Sequence, residues 1–124
     1  MSTRRIDYRD WRRIQNKGAK YHNKKAELNG ITFDSIKERD RYIYLKSQEK
    51  RGAIHSLTLQ VPFELQPKFE HNGKTVRAIK YVADFVYFDR DGKMHIEDTK
   101  GFKTREYELK KKMMLYKGLE IEEV

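Results

Sequence analysis

Two β-rich apolar runs flank a turn signal in the C-terminal half of the sequence. The first run is Tyr81 to Phe88, the second is Met94 to Gly101, and Arg90-Asp91-Gly92 lies between them. Asp-Gly between two such runs strongly favours a β-hairpin. Because each run is apolar on both faces, we expect helices or loops to cover both sides of the sheet that contains this hairpin.

The length of the hairpin loop decides which side chains face each other. A three-residue loop over Arg90–Gly92 places Asp84 directly opposite Asp98, with Lys100 one step further along the same face. A two-residue loop would shift the register by one residue and bring Glu97 to the position of Asp98. We favour the three-residue loop, in which Glu97 points away from Asp84.

Facing carboxylates on an apolar stripe indicate a metal site. Facing residues on paired strands have Cβ atoms about 4.5–5.5 Å apart, and two negative charges about 5 Å apart repel by roughly 3 kcal/mol at an effective dielectric near 20. Lys100 offsets part of this repulsion, and Mg²⁺, which binds through one or two carboxylates, would offset the rest. The alternative is a surface salt bridge between Asp98 and Lys100 beside an edge-strand aspartate, Asp84. The predicted apolar neighbours on this face are Val82, Val86, Met94 and Ile96.

The rest of the pattern predicts helices and further strands around this hairpin. The predicted elements are, in chain order, a hairpin over 26–33, a helix over 34–51, a strand over 54–59, an extended segment over 62–67 that is interrupted or at an edge, a tight turn over 71–74, the strand of Asp84 from 75, a helix over 104–117 and a strand over 119–124. This order predicts an α/β (α+β) fold in which helices pack on a mixed β-sheet.

Glu38 lies in the first turn of the first predicted helix, at the edge of its buried side. From there it would approach Asp84 and Asp98 as a third ligand or as a group that positions water. Ser35-Ile36-Lys37-Glu38 also matches the capping box, in which the glutamate accepts a backbone N–H at the helix start. Both interpretations of Glu38 stay open.

The last predicted helix contributes candidate phosphate contacts. Lys110, with Lys111 beside it, lies in an apolar stripe, where it either extends to solvent or reaches inward toward a phosphate. Thr104 is an N-cap candidate, and its place just beyond Lys100 brings the helix N-terminus near any bound phosphate. Gln66 is interpreted as part of a polar strand face, with an auxiliary role in the site as the alternative.

Length and composition bound the class of protein. A chain of 124 residues is one domain that buries about two thirds of its unfolded surface. The absence of cysteine excludes disulfides and cysteine-ligated zinc and favours a reducing cytoplasm. No apolar run approaches the length of a signal-peptide core or a membrane span. We therefore expect a cytoplasmic protein with no membrane partner.

The positive charge is concentrated at the N-terminus. Lys plus Arg number 28 against 19 Asp plus Glu, and residues 1–25 carry nine basic and two acidic residues, hence +7 of the net +9. Tyr8, Trp11 and Tyr21 lie among them, a pattern that suits phosphate contacts with aromatic stacking; a solubilising tail is the alternative. We take residues 1–25 as a basic arm and 26–124 as the folded domain. The candidate DNA contacts in the arm are Arg4, Arg5, Arg12, Arg13, Lys17 and Lys20.

The acidic residues and the lysine form a motif. Asp84 on one strand and Asp98-Thr99-Lys100 on the next resemble the PD-(D/E)xK nuclease superfamily, whose core places an acidic residue on one strand and a (D/E)-x-K triplet on the next, flanked by helices. The chain departs from this pattern at Ala83, which replaces the proline. Over about residues 26–124 the chain also resembles a family of small phage-encoded proteins catalogued as a domain of unknown function. This second resemblance rests on Phe33–Glu38, Leu65–Pro67, Tyr81–Tyr87, Glu97–Gly101 and Thr104, Tyr107 and Lys110.

The resemblance implies a restriction-endonuclease-like fold and a DNA endonuclease of phage replication or recombination. In the superfamily the acids bind Mg²⁺ or Mn²⁺, the lysine orients the attacking water, and a helical glutamate often joins the site. Carried over, these residues are Asp84 and Asp98, then Lys100, then Glu38, with lesser support for Gln66 and Lys110.

The resemblance leaves the substrate open. Small phage nucleases of this superfamily include Holliday junction resolvases, and cutting two strands of branched DNA symmetrically implies a homodimer. The alternatives are a nicking or repair endonuclease and a non-catalytic DNA-binding accessory protein on a nuclease fold.

Overall fold

The computed structural model of the chain describes residues 25–99 and 102–124, and these residues form an α+β fold. The chain divides into two compact units, residues 1–47 and residues 48–124. Within the described ranges, no helix has the length and hydropathy that are needed to cross a bilayer. The candidate site residues that lie outside the described ranges are Lys100, Arg4, Arg5, Arg12, Arg13, Lys17 and Lys20.

The described part of the first unit contains a hairpin and the start of a helix. β1 (Ala26–Leu28) pairs antiparallel with β2 (Ile31–Phe33) through a turn at Asn29-Gly30. The two turn residues have φ angles of 52° and 81°, as a type I′ hairpin turn requires. α1 (Ile36–Lys50) follows and continues into the second unit. The predicted hairpin is confirmed, and the predicted helix over 34–51 contains α1.

A four-stranded mixed sheet is the centre of the second unit. Its elements are β3 (Ile54–Gln66), β4 (Phe69–His71), β5 (Lys74–Val76), β6 (Ile79–Asp89), β7 (Met94–Asp98), α2 (Arg105–Tyr116) and β8 (Ile121–Glu123). The strand order in the main sheet is β3-β6-β7-β8, with β7 and β8 parallel and the other neighbours antiparallel. α2 supplies the crossover that a parallel pair needs. The predicted class, helices with a mixed sheet, is confirmed.

Two strand bounds differ from the prediction. β3 does not end at Leu59 but runs on through Pro62, which an edge strand tolerates because a missing N–H there breaks no central ladder. β4 and β5 form a separate hairpin around Asn72-Gly73, so the strand that carries Asp84 begins at Ile79 rather than at residue 75.

α2 closes the core of the second unit. Its N-cap is Thr104, whose Oγ1 accepts a hydrogen bond from the N–H of Tyr107 at 3.0 Å, as predicted from the sequence. Gly118 ends the helix with a φ of 82°, a left-handed conformation that glycine adopts without strain. The buried core consists of Leu65, Tyr81, Ala83, Val86, Ile96, Tyr107, Met114 and Ile121.

Candidate functional site

The hairpin of β6 and β7 has the register that the three-residue loop predicts. Phe85 pairs with Glu97 and Val86 pairs with Ile96. At the turn, the N–H of Asp89 donates to the carbonyl oxygen of Lys93 at 3.0 Å, and Gly92 has a φ of 82°. The three-residue loop is therefore confirmed, and the paired residues end at Phe85 and Glu97, one residue before Asp84 and Asp98. The direct pairing of Asp84 with Asp98 stays a prediction.

The prediction that side chains along β6 alternate strictly between the two faces of the sheet is wrong. Tyr81 and Ala83 pack in the same core as Val86, although two-by-two counting from Val86 would put them on the other face. The alternation therefore changes at Asp84. The pairing with β3 is interrupted at the same point, opposite Gln60, whose φ of 54° is a left-handed conformation that a regular strand does not contain. Of the predicted apolar neighbours, Val82 and Met94 are exposed, whereas Val86 and Ile96 are buried.

The carboxylate of Asp84 takes the place of a main-chain partner where β6 and β7 separate. Hydrogen-bonded pairs alternate along the ladder, so the Asp89–Lys93 bond predicts a bond from the N–H of Thr99 to the carbonyl of Ala83. Instead, the N–H and the hydroxyl of Thr99 both donate to Oδ2 of Asp84, at 3.0 and 2.9 Å. Gln60 donates to Oδ1 of Asp84 at 3.4 Å. Asp84 is therefore fixed at the point where the strands part.

The carboxylate of Asp98 is buried and held by a tyrosine. Asp98 is 1% exposed, and the hydroxyl of Tyr81 donates to its Oδ2 at 2.5 Å. Burial raises the pKa of the Tyr81 hydroxyl, and the hydrogen bond to Asp98 and the charges of Asp98 and Asp84 raise it further. Tyr81 therefore stays a donor at any physiological pH.

The donor set at this site suits a hard divalent cation. Mg²⁺ prefers oxygen ligands and commonly takes one or two carboxylates, with water and substrate phosphate completing its shell. Neighbouring hydrogen-bond donors orient both carboxylates, Thr99 and Gln60 at Asp84 and Tyr81 at Asp98, and the role of Asp84 and Asp98 as a ligand pair stays a prediction. Within residues 25–99 and 102–124 no three His, Asp or Glu side chains are grouped closely enough to hold a metal ion.

Glu38 forms the helix cap that the sequence predicted as one of its two roles. The Oγ of Ser35 accepts from the N–H of Glu38 at 3.1 Å, and Oε1 of Glu38 accepts from the N–H of Asp34 at 3.0 Å. The reciprocal bond thus reaches the residue before Ser35, not Ser35 itself as the standard capping box has it. Glu38 is 2% exposed. Its role as a metal ligand stays a prediction.

The remaining site candidates lie on or near α2 and β3. Lys110 forms an ion pair with Glu106 one turn earlier, at 2.9 Å, and only 23% of its side chain is exposed. Lys111 pairs with Glu123 at 3.0 Å. Gln66 is half-buried at the end of β3. None of these positions tests the predicted contacts with DNA.

Glu123 organises a polar network beside Asp98. It is the β8 partner of Asp98 in the sheet register, and its carboxylate accepts from Tyr107 at 2.7 Å and pairs with Lys103 at 2.9 Å and with Lys111. The hydrogen bonds from Tyr107, Lys103 and Lys111 lower the pKa of Glu123 to about 2. No local sequence pattern signals this network, because its contacts join α2 to a strand that follows it.

A second polar group lies further along the hairpin. Glu97 is fully buried and accepts a hydrogen bond from Tyr87, so it contacts a different tyrosine from Asp98. His95 lies between Asp89 at 2.9 Å and Glu122 at 2.7 Å. The hydrogen bond to Asp89 is the main reason why the pKa of His95 is raised, despite an opposing contribution from burial.

Sequence reasoning missed three residues that hold the acidic pair. Tyr81, Thr99 and Gln60 were assigned no role, although each donates a hydrogen bond to Asp84 or Asp98. The place of Thr99 inside the Asp98-Thr99-Lys100 triplet was the only available signal, since a strand end near an aspartate favours such a contact.

Comparison with known proteins gives a family and no characterised relative. No curated protein and no solved structure shows a significant similarity to the chain. The family described as "Protein of unknown function (DUF1064)" matches residues 18–124, which cover the described fold and the end of the basic arm. With most of its length matched, the chain belongs to this DUF1064 family.

Proposed function

We propose that this protein is a Mg²⁺-dependent DNA endonuclease that hydrolyses phosphodiester bonds, in the manner of PD-(D/E)xK nucleases. The observation that supports the proposal is that the carboxylate of Asp84 accepts two hydrogen bonds from Thr99, the residue that follows Asp98 at the end of β7. Hydrogen bonds from Thr99 and Tyr81 hold the two carboxylates in place. The triplet Asp98-Thr99-Lys100 then provides a lysine directly after the acidic pair.

Each candidate residue of the site has its own task in the proposed reaction. Asp84 and Asp98 would hold Mg²⁺ or Mn²⁺, with Glu38 as a further ligand. A bound divalent ion lowers the pKa of a coordinated water and stabilises charge on the phosphate. Tyr81 keeps Asp98 oriented from the protein side. Lys100 would orient the attacking water and stabilise developing negative charge.

The substrate is held by positive charge outside the acidic pair. Lys110, Lys111 and the N-terminus of α2 at Thr104 would contact phosphates close to the site. The ion pairs of the two lysines with Glu106 and Glu123 would exchange for phosphate contacts. The basic arm, residues 1–25, would bind further along the DNA.

Paired substitutions test the proposal. Asp84→Asn and Asp98→Asn keep the size of each side chain but remove the charge that a divalent cation needs. We expect DNA cleavage in Mg²⁺ to fall at least a hundredfold for each, with DNA binding in EDTA retained. Asp91→Asn, in the exposed hairpin loop, is the matched control and should cleave as the wild type does. Wild-type cleavage by either site variant would refute the proposal.

A second experiment compares the cleavage of different DNA substrates to identify the preferred one. We expect cleavage of a four-way junction over matched duplex and single-stranded DNA, as for a phage recombination nuclease in the cytoplasm of its bacterial host, and a homodimer in sedimentation analysis. Equal cleavage of nicked or damaged duplex would indicate a nicking or repair endonuclease. Binding without metal-dependent scission would indicate a DNA-binding accessory protein on a nuclease fold.

A further inference from the structure

A groove in the second unit runs between the first half of β6 and the start of α2. A cavity of about 300 Å³ is lined by Lys80 and Tyr81 from β6 and by Thr104, Tyr107 and Lys110 from α2 and its cap. A second cavity of about 360 Å³ continues the first, because both are lined by Lys80, Glu106 and Lys110.

Tyr81 links the groove to Asp98. Tyr81 lines the first cavity, and its hydroxyl donates to Asp98. A strand that placed one phosphate at Asp84 and Asp98 would therefore run into this groove with its neighbouring phosphate. The inference rests on the proposed function in this respect, since it takes the acidic pair as the place of cleavage.

The chemistry of the groove changes along its length. In the first cavity, two lysines on facing elements, Lys80 and Lys110, offer positive charge to an anion. In the second cavity, Ile79, Leu109 and Met113 provide apolar surface, and Leu109 is 59% exposed. The two lysines line both cavities, and together with the apolar surface of the second cavity they match one nucleotide unit, with its phosphate on the lysines and its sugar or base over the apolar part.

We propose that this groove is a binding subsite for the nucleotide next to the cleaved phosphodiester, with Lys80 and Lys110 as its phosphate contacts. Lys80 has no role in the catalytic site described above. Glu106 forms an ion pair with Lys110 at 2.9 Å and is 75% exposed in its side chain, so it occupies Lys110 until a phosphate displaces it. Glu106 therefore neutralises one of the two lysines of the groove and leaves a net charge of +1 from Lys80, Lys110 and Glu106.

Binding measurements in EDTA separate this subsite from catalysis. Each phosphate contact contributes about −0.9 to the slope of log affinity against log salt for duplex DNA. We expect the double variant Lys80→Gln/Lys110→Gln to lose about 1.8 from the magnitude of this slope. Glu106→Gln should bind several-fold more tightly than the wild type, because it releases Lys110. The matched control is Lys74→Gln/Lys93→Gln, which removes two exposed charges outside the groove and should keep the wild-type slope.

The possible results are distinct. A double variant with the wild-type slope, a control with the same loss as the double variant, or weaker binding by Glu106→Gln would overturn the subsite. If the variants show the expected slopes but the protein never cleaves DNA in Mg²⁺, the subsite is supported and the proposed endonuclease activity is refuted. If the protein cleaves DNA but the double variant has the wild-type slope, the endonuclease activity is supported and the subsite is refuted.

Discussion

At the scale of single residues, the hydroxyl of Tyr81 supports the most buried charge of the site. Tyr81→Phe leaves Oδ2 of Asp98 without this donor at 1% exposure. A hydrogen bond to a charged group contributes about 1.5–3 kcal/mol, and we expect the free energy of unfolding in urea to fall by that amount. Tyr116→Phe is the control, because Tyr116 is 94% exposed. Equal stability of the Tyr81→Phe protein and the wild type would contradict the assigned contact.

Two substitutions can distinguish the helix-capping role of Glu38 from its proposed role as a metal ligand. Glu38→Gln keeps an oxygen that can accept the N–H of Asp34, but it removes the charge that a metal ligand needs. Ser35→Ala removes the other half of the cap, at a cost of about 0.5–2 kcal/mol. We expect Glu38→Gln to lose Mg²⁺-dependent cleavage and to unfold nearly as the wild type does. Ser35→Ala should keep cleavage and lose stability. Full cleavage by Glu38→Gln would mean that Glu38 caps the helix and is not a metal ligand.

The contacts of single residues also show what could not be predicted from the sequence. The register of the hairpin up to Phe85 and Glu97 followed from a loop length and a period of two, both local properties. The orientation of the Asp84 carboxylate did not follow, because it depends on Gln60, a non-glycine residue with positive φ on another strand. Such a conformation has no reliable sequence signal. The local pattern therefore gave the hairpin without the contacts of its carboxylates.

At the scale of elements, the cluster of Asp89, His95 and Glu122 joins the hairpin of β6 and β7 to β8. The raised pKa of His95 means that its contribution to stability is complete below 6.5, the ordinary value, and is lost as pH rises through the raised value. The pKa of Asp89 is lowered, chiefly by its hydrogen bond with His95, so its contribution is complete above 3.8 and is lost as pH falls through the lowered value. The cluster therefore stabilises the sheet most between these two limits.

Unfolding midpoints across pH test this cluster. We expect the urea midpoint of the wild type to decline between pH 6.5 and pH 9, and the decline to be smaller for His95→Gln, which cannot be protonated. His71→Gln, in the exposed turn between β4 and β5, should retain the wild-type decline. An identical pH profile for His95→Gln and the wild type would show that the cluster is not coupled to folding.

The elements themselves were predictable to different degrees. Ser35, Thr104 and Gly118 mark helix ends by local capping chemistry, and the helix bounds agreed closely with the structure. Asn29-Gly30 and Asn72-Gly73 likewise marked real hairpins. The parallel pairing of β7 with β8 was not predictable, since it joins segments separated by α2 and no local period encodes it.

At the scale of the whole molecule, charge is distributed in a way that separates two tasks. Residues 1–25 hold nine basic and two acidic residues, whereas the remaining 99 residues carry a net charge of only +2. Within the second unit, the positive side chains near the acidic pair are partly neutralised by Glu106 and Glu123. Under the proposed function, the arm would supply general attraction to DNA and the folded domain would position it locally.

Neutralising the arm tests this division. The variant with Arg4, Arg5, Arg12 and Arg13 changed to Gln should reduce the salt slope of DNA binding by up to about 3.6, at about 0.9 for each phosphate contact. Its Mg²⁺ requirement and its rate of cleavage at saturating DNA should stay those of the wild type, because none of the proposed metal ligands, Asp84, Asp98 and Glu38, belongs to the arm. The control changes four exposed lysines of the second unit to Gln, namely Lys50, Lys68, Lys74 and Lys93. An equal loss of slope in the control would show that net charge alone attracts DNA, and a lost turnover in the arm variant would place the arm at the reacting phosphate.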